Sequence, residues 1–279
     1  MIVFIAKRAV SGLILLLAIS FITFAMVYSG GSNIARRVLG PEADQAQVDA
    51  KAQELGLDQP LILQYFSWLS GVIRGDFGTS WFSPESVTGA ITSRISVTLS
   101  VVTVSIVIVA IVSVILGVVA AVRRGWLDRT LQVGSVVGLA LPNFWLAMVL
   151  VVVFALGLGW LPATGYVPPG RDLGLWAASI VLPVAAIVIG GVAAAAQQIR
   201  GAYIDVLRQD YVRTLRTRGL SERSVLLKHS LKNASGPALT ILSLQFIGMI
   251  GGAVVIEKVF ALPGLGLLAV NSTIRGDIP

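Results

Sequence analysis

The chain has 279 residues, 56% of them apolar and 13% charged, and its 21 Lys and Arg against 14 Asp and Glu give a formal charge of +7. With no Cys and a single His, at position 229, it can build no disulfide framework, thiol nucleophile, Cys-ligated metal centre or clustered His site. The apolar share exceeds the roughly 45–50% of soluble domains and is gathered in long blocks, which indicates a membrane protein that crosses the bilayer several times.

The opening, MIVFIAKRAVSGLILLLAISFITFAMVYS, places Lys7 and Arg8 before a long apolar run. That layout invites reading as a signal peptide. The run is longer than an h-region of about 7–15 residues and no small-x-small cleavage site is clear, so a retained span over about 9–28 is expected. Four further blocks, about 96–122, 131–158, 173–196 and 238–256, are long enough for a hydrocarbon core of about 30 Å. None of the five contains Lys, Arg, Asp or Glu. If the N-terminus is cytosolic, that side collects 13 Lys and Arg, Arg123 and Arg124 among them, against four acids, while the other side has eight against ten. The asymmetry orients the N-terminus inward, and basicity is a topology signal first. Nucleic-acid binding is a poor reading, because no basic patch carries interleaved aromatics.

Between the first two spans about 65 residues lie outside, too many for a simple connection. Two helices are expected there. The first opens acidically at Pro41, Glu42 and Asp44 and stops at Gly56. The second is capped by Asp58, has Pro60 in its first turn, and puts Leu61, Tyr65, Trp68, Leu69 and Val72 on one face. That face either packs on the membrane surface or the bundle, or meets a substrate-delivering partner.

RRGWLDRT then makes a short cytosolic turn. Span three carries GLALPNFW, in which Pro142 removes a backbone donor and Asn143 adds an amide at membrane depth. These residues form either a packed kink or part of a translocation path, and Pro183 in span four poses the same choice. Gly134 with Gly138, and Gly248 with Gly252, open smooth faces for neighbouring helices.

Catalytic motifs are missing. No Lys precedes Ser or Thr, so no Walker A loop exists in the chain. GLGLLA, from Gly264, fits a dinucleotide fingerprint but opens no βαβ unit. An ionisable group inside a span, the usual mark of proton-coupled transport, is lacking as well. The chain reads as a passage without a motor.

QDYVRTLRTRGLSERSVLLKHSLKN, residues 209–233, is a basic helix-turn-helix set between apolar blocks. A helix from Tyr203 to Arg218 would place Tyr203, Val206, Leu207, Tyr211 and Leu215 on one face. Gly219 can take the left-handed conformation that stops it, exposing Leu220 at the bend. Ser221 caps the next helix with Glu222 in its first turn. Leu227, Leu231 and Ala234 would continue that helix's apolar face as far as Pro237, where the fifth span begins.

This segment resembles the cytoplasmic "EAA" loop of ABC importer permeases, and the wording is most similar to the first permease subunit of oligopeptide and dipeptide importers. The resemblance covers nearly the whole chain, through AKRAVSGLILLLAISFITF, ELGLDQPLILQYFSWLSGVIRGDFGTS, LPNFW, the loop itself and GGAVVIEKVFALPGLGLLAVNSTIRGDIP. It implies an all-α polytopic bundle of the type I ABC importer class, with residues 1–95 as the first span plus an external helical region. Residues 96–279 would be the permease core, with its coupling loop at 197–236. It implies that Asp210, Arg213, Arg216, Arg218, Gly219, Leu220, Ser221 and Glu222 dock on a separate cytosolic ATPase. It also implies that Glu257, Phe260, Pro263 and Gly264 form an external gate or a binding-protein contact. Pro142, Asn143 and Gln245 are the residues expected along the path. No cofactor is expected on this chain. ATP and Mg would sit on two partner ATPases, alongside a second, similar permease and an extracytoplasmic substrate-binding protein.

The chain departs from the group where GGSN stands in place of Gly-Asp-Pro after span one, and where Asp210 and Leu215 replace the stricter loop pattern. The group also continues into a sixth span beyond RGDIP, so five spans are expected here, with the sixth missing. Peptides are the expected cargo, with nickel, glutathione or another small solute as alternatives. A secondary transporter and a membrane scaffold remain as readings from other classes.

Overall fold

The computed structural model describes residues 2–28, 31–123 and 125–278, with side chains described from Val3 and, after the first gap, from Ile34. Arg124, Gly30 of the GGSN stretch and Pro279 lie outside the described residues. Among the described residues the secondary structure is helical, apart from one isolated bridge between Thr79 and Ser86. The chain divides into two units, residues 1–93 with 268–279, and residues 94–267.

In the first unit, α1 (Ile2–Tyr28) is apolar on every side beyond Arg8 and mostly exposed, as expected of a helix solvated by lipid. Its far end is fastened to α4 (Leu61–Ile73): the edges of Phe21 and Phe24 meet the Tyr65 ring at 5.1 and 5.6 Å between centroids. The Tyr65 hydroxyl lies 2.8 Å from Ser20 Oγ. On α4 the expected face is the inner one, with Tyr65 buried and Leu61, Trp68, Leu69 and Val72 half-buried.

The caps differ from expectation. Asp44 is the N-cap of α3 (Gln45–Glu54), closing a capping box with Gln47, so the helix starts after the acidic turn. Gly56 does follow its end, at φ +69°. Asp58 caps nothing at α4, where Pro60 holds the N-cap position without a side-chain bond. Tyr28 donates instead to the carbonyls of Leu57 and Gln59. A short helix not expected from the sequence, α2 (Gly31–Leu39), buries Ile34 and Ala35, and Arg37 donates to the Ile274 carbonyl at 3.0 Å.

In the second unit the core gathers around α8 (Leu173–Leu207), against which α5 (Val87–Val122), α6 (Trp126–Ala140) and α11 (Leu231–Val259) pack. Small residues set the approach. A Cβ on Gly138 would lie 2.7 Å from Ala193 Cβ, one on Gly117 2.9 Å from the Ala196 carbonyl, and one on Gly191 2.9 Å from both Met249 and Val109. The expected glycine pairs are only partly used in this way, since Gly134, Gly248 and Gly252 have nothing within 4 Å of such a Cβ.

Among the described residues four helical stretches are long and apolar enough to cross a membrane: Val3–Tyr28, Val87–Val122, Leu173–Leu207 and Glu222–Val259. The expected third span is broken. The α6 helix ends at Ala140 and α7 (Asn143–Leu150), prolonged by a π-helical stretch to Gly157, leaves at 93° to it. Leu141, restricted by the following proline, is extended (φ −86°, ψ 118°), and Pro142 starts the new helix without an N–H to give. Pro183 and Pro237 sit inside α8 and α11 without breaking them, so the expected start of a span at Pro237 is absent.

Candidate functional site

The elbow is built from local chemistry. The α8 helix ends at Leu207, and extended Gln209 (ψ 146°) starts a separate helix, α9 (Asp210–Thr217). The single helix expected from Tyr203 to Arg218 is therefore two. Gly219, at φ +80°, ends α9 in a Schellman motif: its N–H donates to the Arg216 carbonyl at 3.0 Å and that of Leu220 to Leu215 at 3.3 Å. Ser221 then caps α10 (Glu222–Ser224), accepting from the Ser224 N–H at 3.4 Å.

Across this bend Arg216 grips Glu222 with both arms, Nε to Oε1 at 2.8 Å and Nη2 to Oε2 at 3.2 Å. Asp210 and Arg213 are strongly exposed and 3.8 Å apart. Arg218, Gly219 and Ser221 are exposed too, whereas Leu220 is half-buried rather than fully exposed. On the inner side Val212 and Val225 are fully buried, and the buried Tyr203 donates its hydroxyl to the Leu226 carbonyl at 2.9 Å. A rigid back thus carries a polar, exposed front.

Beyond the bend the chain runs through a π-helical stretch, Val225–Ser230, into α11. The wider turn rotates the side chains, so that Leu226, Leu231 and Ala234 face the Tyr203 cluster. Leu227 departs from the expected apolar face and is 51% exposed.

A second site is a cleft of about 270 Å³ where α6, α7, α8 and α11 meet. Asn143 and Gln245 both line it, between Gly190, Gly191, Gly248 and Gly252. Gln245 Nε2 donates to the Gly191 carbonyl at 3.3 Å. Pro142 does not line the cleft; it turns the chain so that Asn143 opens α7 there.

The stretch after α11 is organised around Glu257. Expected at the interface, it is 1% exposed. Its Oε1 accepts from the Thr98 hydroxyl at 2.6 Å and its Oε2 from the Leu267 N–H at 2.9 Å, while Thr98 Oγ1 accepts from the Leu265 N–H at 2.9 Å. The carboxyl group therefore holds the start of α12 (Leu265–Arg275), whose leading amides would otherwise lack partners. Gly264 makes room for it, since a Cβ there would fall 2.2 Å from the carboxyl group. That close approach, rather than phosphate binding, is the use of the first glycine in GLGLLA. Phe260 is buried in the core and accepts from the Gly165 N–H at 2.9 Å, while Pro263 is exposed.

The sequence reading missed two partnerships. Thr98 carries no local signal as a partner of Glu257. Arg200 on α8 grips Asp128 on α6 bidentately, with Nη2 to Oδ2 at 2.7 Å, and both residues had counted only as loop charges. Among the described residues no group of three or more His, Asp or Glu could hold a metal ion.

Residues 113–279 match the family described as the binding-protein-dependent transport system inner membrane component, and residues 1–102 match the companion N-terminal family of such membrane components. A putative peptide transport system permease protein of Brucella abortus (strain 2308) is 37% identical over 277 residues, covering 99% of this chain and 88% of the relative. The glutathione transport system permease protein of Salmonella typhimurium (strain LT2) is 37% identical over 283 residues, with the same coverages.

Proposed function

Because the chain belongs to the family of binding-protein-dependent transport system inner membrane components, we propose that it is the permease subunit of an ATP-driven importer of peptides. It forms part of the passage and receives force from outside the membrane. The observation that carries this reading is the pairing of apolar spans with a polar elbow held in shape by the Gly219 turn and the Arg216–Glu222 clamp. Glutathione is itself a tripeptide, so the names of the relatives describe one chemical class of cargo.

In this reading the N-terminus is cytosolic, residues 96–279 form the permease core, and the loop 197–236 docks on a separate ATPase. Asp210, Arg213, Arg216, Arg218, Ser221 and Glu222 present the polar front that the ATPase grips, while Gly219 and Leu220 shape the tip. The exposed ion pairs contribute only about 0–1 kcal/mol each and serve mainly to orient the partners. ATP and Mg are held by two such ATPases, and an extracytoplasmic binding protein delivers cargo to this chain and a second, similar permease. Closure of the ATPases moves the elbows and shifts the bundle between inward-facing and outward-facing populations.

Asn143 and Gln245 line the path. Amides there can meet a peptide backbone, which has one donor and one acceptor in most residues, without selecting side chains. Glu257, Phe260, Pro263 and Gly264 shape the external end, where Glu257 pins the turn on which the binding protein or gate acts.

The test is uptake of a labelled dipeptide or oligopeptide into proteoliposomes carrying the chain with its partner permease, ATPases and binding protein. Uptake should need both ATP and the binding protein. Transport driven by an ion gradient without ATP would establish a secondary transporter instead.

A further inference from the structure

Two apolar clefts flank the end of α5 that faces the elbow side. One, of about 350 Å³, is walled by Leu116 and Val119 of α5, Leu127 and Leu131 of α6, and Ile189 and Val192 of α8. The other, of about 310 Å³, is walled by Val118, Val119 and Val122 of α5 with Leu226 and Leu227 after the elbow. Val119 belongs to both, so the two clefts lie on either side of one side chain.

Two guanidinium groups stand at the second cleft. Arg123 and Arg223 line the second cleft, and both are exposed. Arg123 also stands one helical turn beyond Val119, on the same face of the chain's path out of α5. The acids nearest to them in sequence are already engaged, Glu222 by Arg216 and Asp128 by Arg200. No ion pair of Arg123 or Arg223 is found among the described residues.

The level of the site in the bilayer is set independently. Arg123 is the first charged residue after Arg94, so it marks where α5 leaves the hydrocarbon. Trp126, 73% exposed, stands at the same boundary, where aromatic rings collect.

We propose that this pair of clefts binds one anionic glycerophospholipid of the elbow-side leaflet. Its two acyl chains lie in the two clefts, and its phosphate headgroup rests between Arg123 and Arg223. Burial of the tails adds no hydrophobic gain, since they leave one apolar medium for another, so preference comes from the headgroup. Two arginines near the surface should favour an anionic over a zwitterionic headgroup by roughly 30-fold. The inference rests on cleft shape and charge, and stands whether or not the elbow couples to an ATPase.

The test uses the assembled importer in nanodiscs doped with phosphatidylglycerol or phosphatidylcholine bearing a photoreactive group on one acyl chain, followed by peptide mapping. Labelling should fall on residues 116–135, 189–196 and 223–227 and favour phosphatidylglycerol by about 30-fold. Arg123→Gln with Arg223→Gln should bring it down to the phosphatidylcholine level, and Arg123→Lys with Arg223→Lys should retain the preference. Val119→Trp should lower labelling by both lipids. Should the double glutamine variant fail to assemble, raised ionic strength should weaken the preference of the unaltered protein. Equal labelling by the two lipids would overturn the proposal. So would labelling seen in the isolated chain but lost in the assembled importer, which would mean that a protein subunit covers the clefts.

Discussion

Thr98 and Glu257, 159 positions apart in the chain, are joined by a buried hydrogen bond of 2.6 Å. Through it α5, α11 and the first amides of α12 share one polar knot. Substituting Glu257 by Ala leaves the Thr98 hydroxyl and the Leu267 N–H without a partner, at about 1–3 kcal/mol for each group. Thermal unfolding in detergent should show a clear fall for Glu257→Ala and a smaller one for Glu257→Gln, which keeps one acceptor oxygen. Equal stability of all three proteins would mean that the knot carries no load.

Gly219 adopts φ +80°, where a side chain costs about 1–2 kcal/mol and a β-branched one more. Gly219→Asn should therefore preserve peptide-stimulated ATP hydrolysis by the assembled importer, Gly219→Ala should reduce it, and Gly219→Val should abolish it while membrane insertion persists. Full stimulation in the valine variant would remove the elbow's shape from the mechanism.

Replacing Pro142 by Ala returns an N–H and frees Leu141 to become helical, so the 93° break between α6 and α7 should open. The chain contains no cysteine, so spin labels can be attached at Cys residues placed at the exposed positions Val133 and Val153. Electron paramagnetic resonance should report a longer distance in Pro142→Ala than in the parent. An unchanged distance would assign the break to tertiary packing alone.

Gly138 and Gly134 lie four apart on α6 and differ in surroundings. A methyl group on Gly138 would meet Ala193 at 2.7 Å, and one on Gly134 would meet nothing within 4 Å. Gly138→Ala should cost about 1–3 kcal/mol by overpacking, and Gly134→Ala should be neutral or slightly stabilising. Comparing their unfolding temperatures in the same detergent checks the sign of each.

Most of the membrane layout was legible in the sequence because the bilayer makes a local demand, a run of apolar residues of sufficient length. The elbow was legible at Gly219 and Ser221 for a similar reason, since turn and cap chemistry is written within a few residues. The expected cargo class and partners came from the resemblance of whole stretches of sequence, not from the physics of any one of them.

The rest depended on neighbours distant in the chain. Two prolines lie in apolar blocks and Pro237 just before one, yet only Pro142 breaks its helix, while Pro183 is held in place with neighbours packed around α8. Leu220 is half-buried, Leu227 is turned outward by a π-helical stretch, and Glu257 is drawn inside by Thr98. Apolar runs and the stop at Gly219 are decided by each segment against its solvent, and the sequence alone determined them. The Arg200–Asp128 grip and the buried carboxyl group of Glu257 were decided only by the tertiary structure, because a polar group in a low-dielectric interior is tolerated only where another part of the chain brings it a partner.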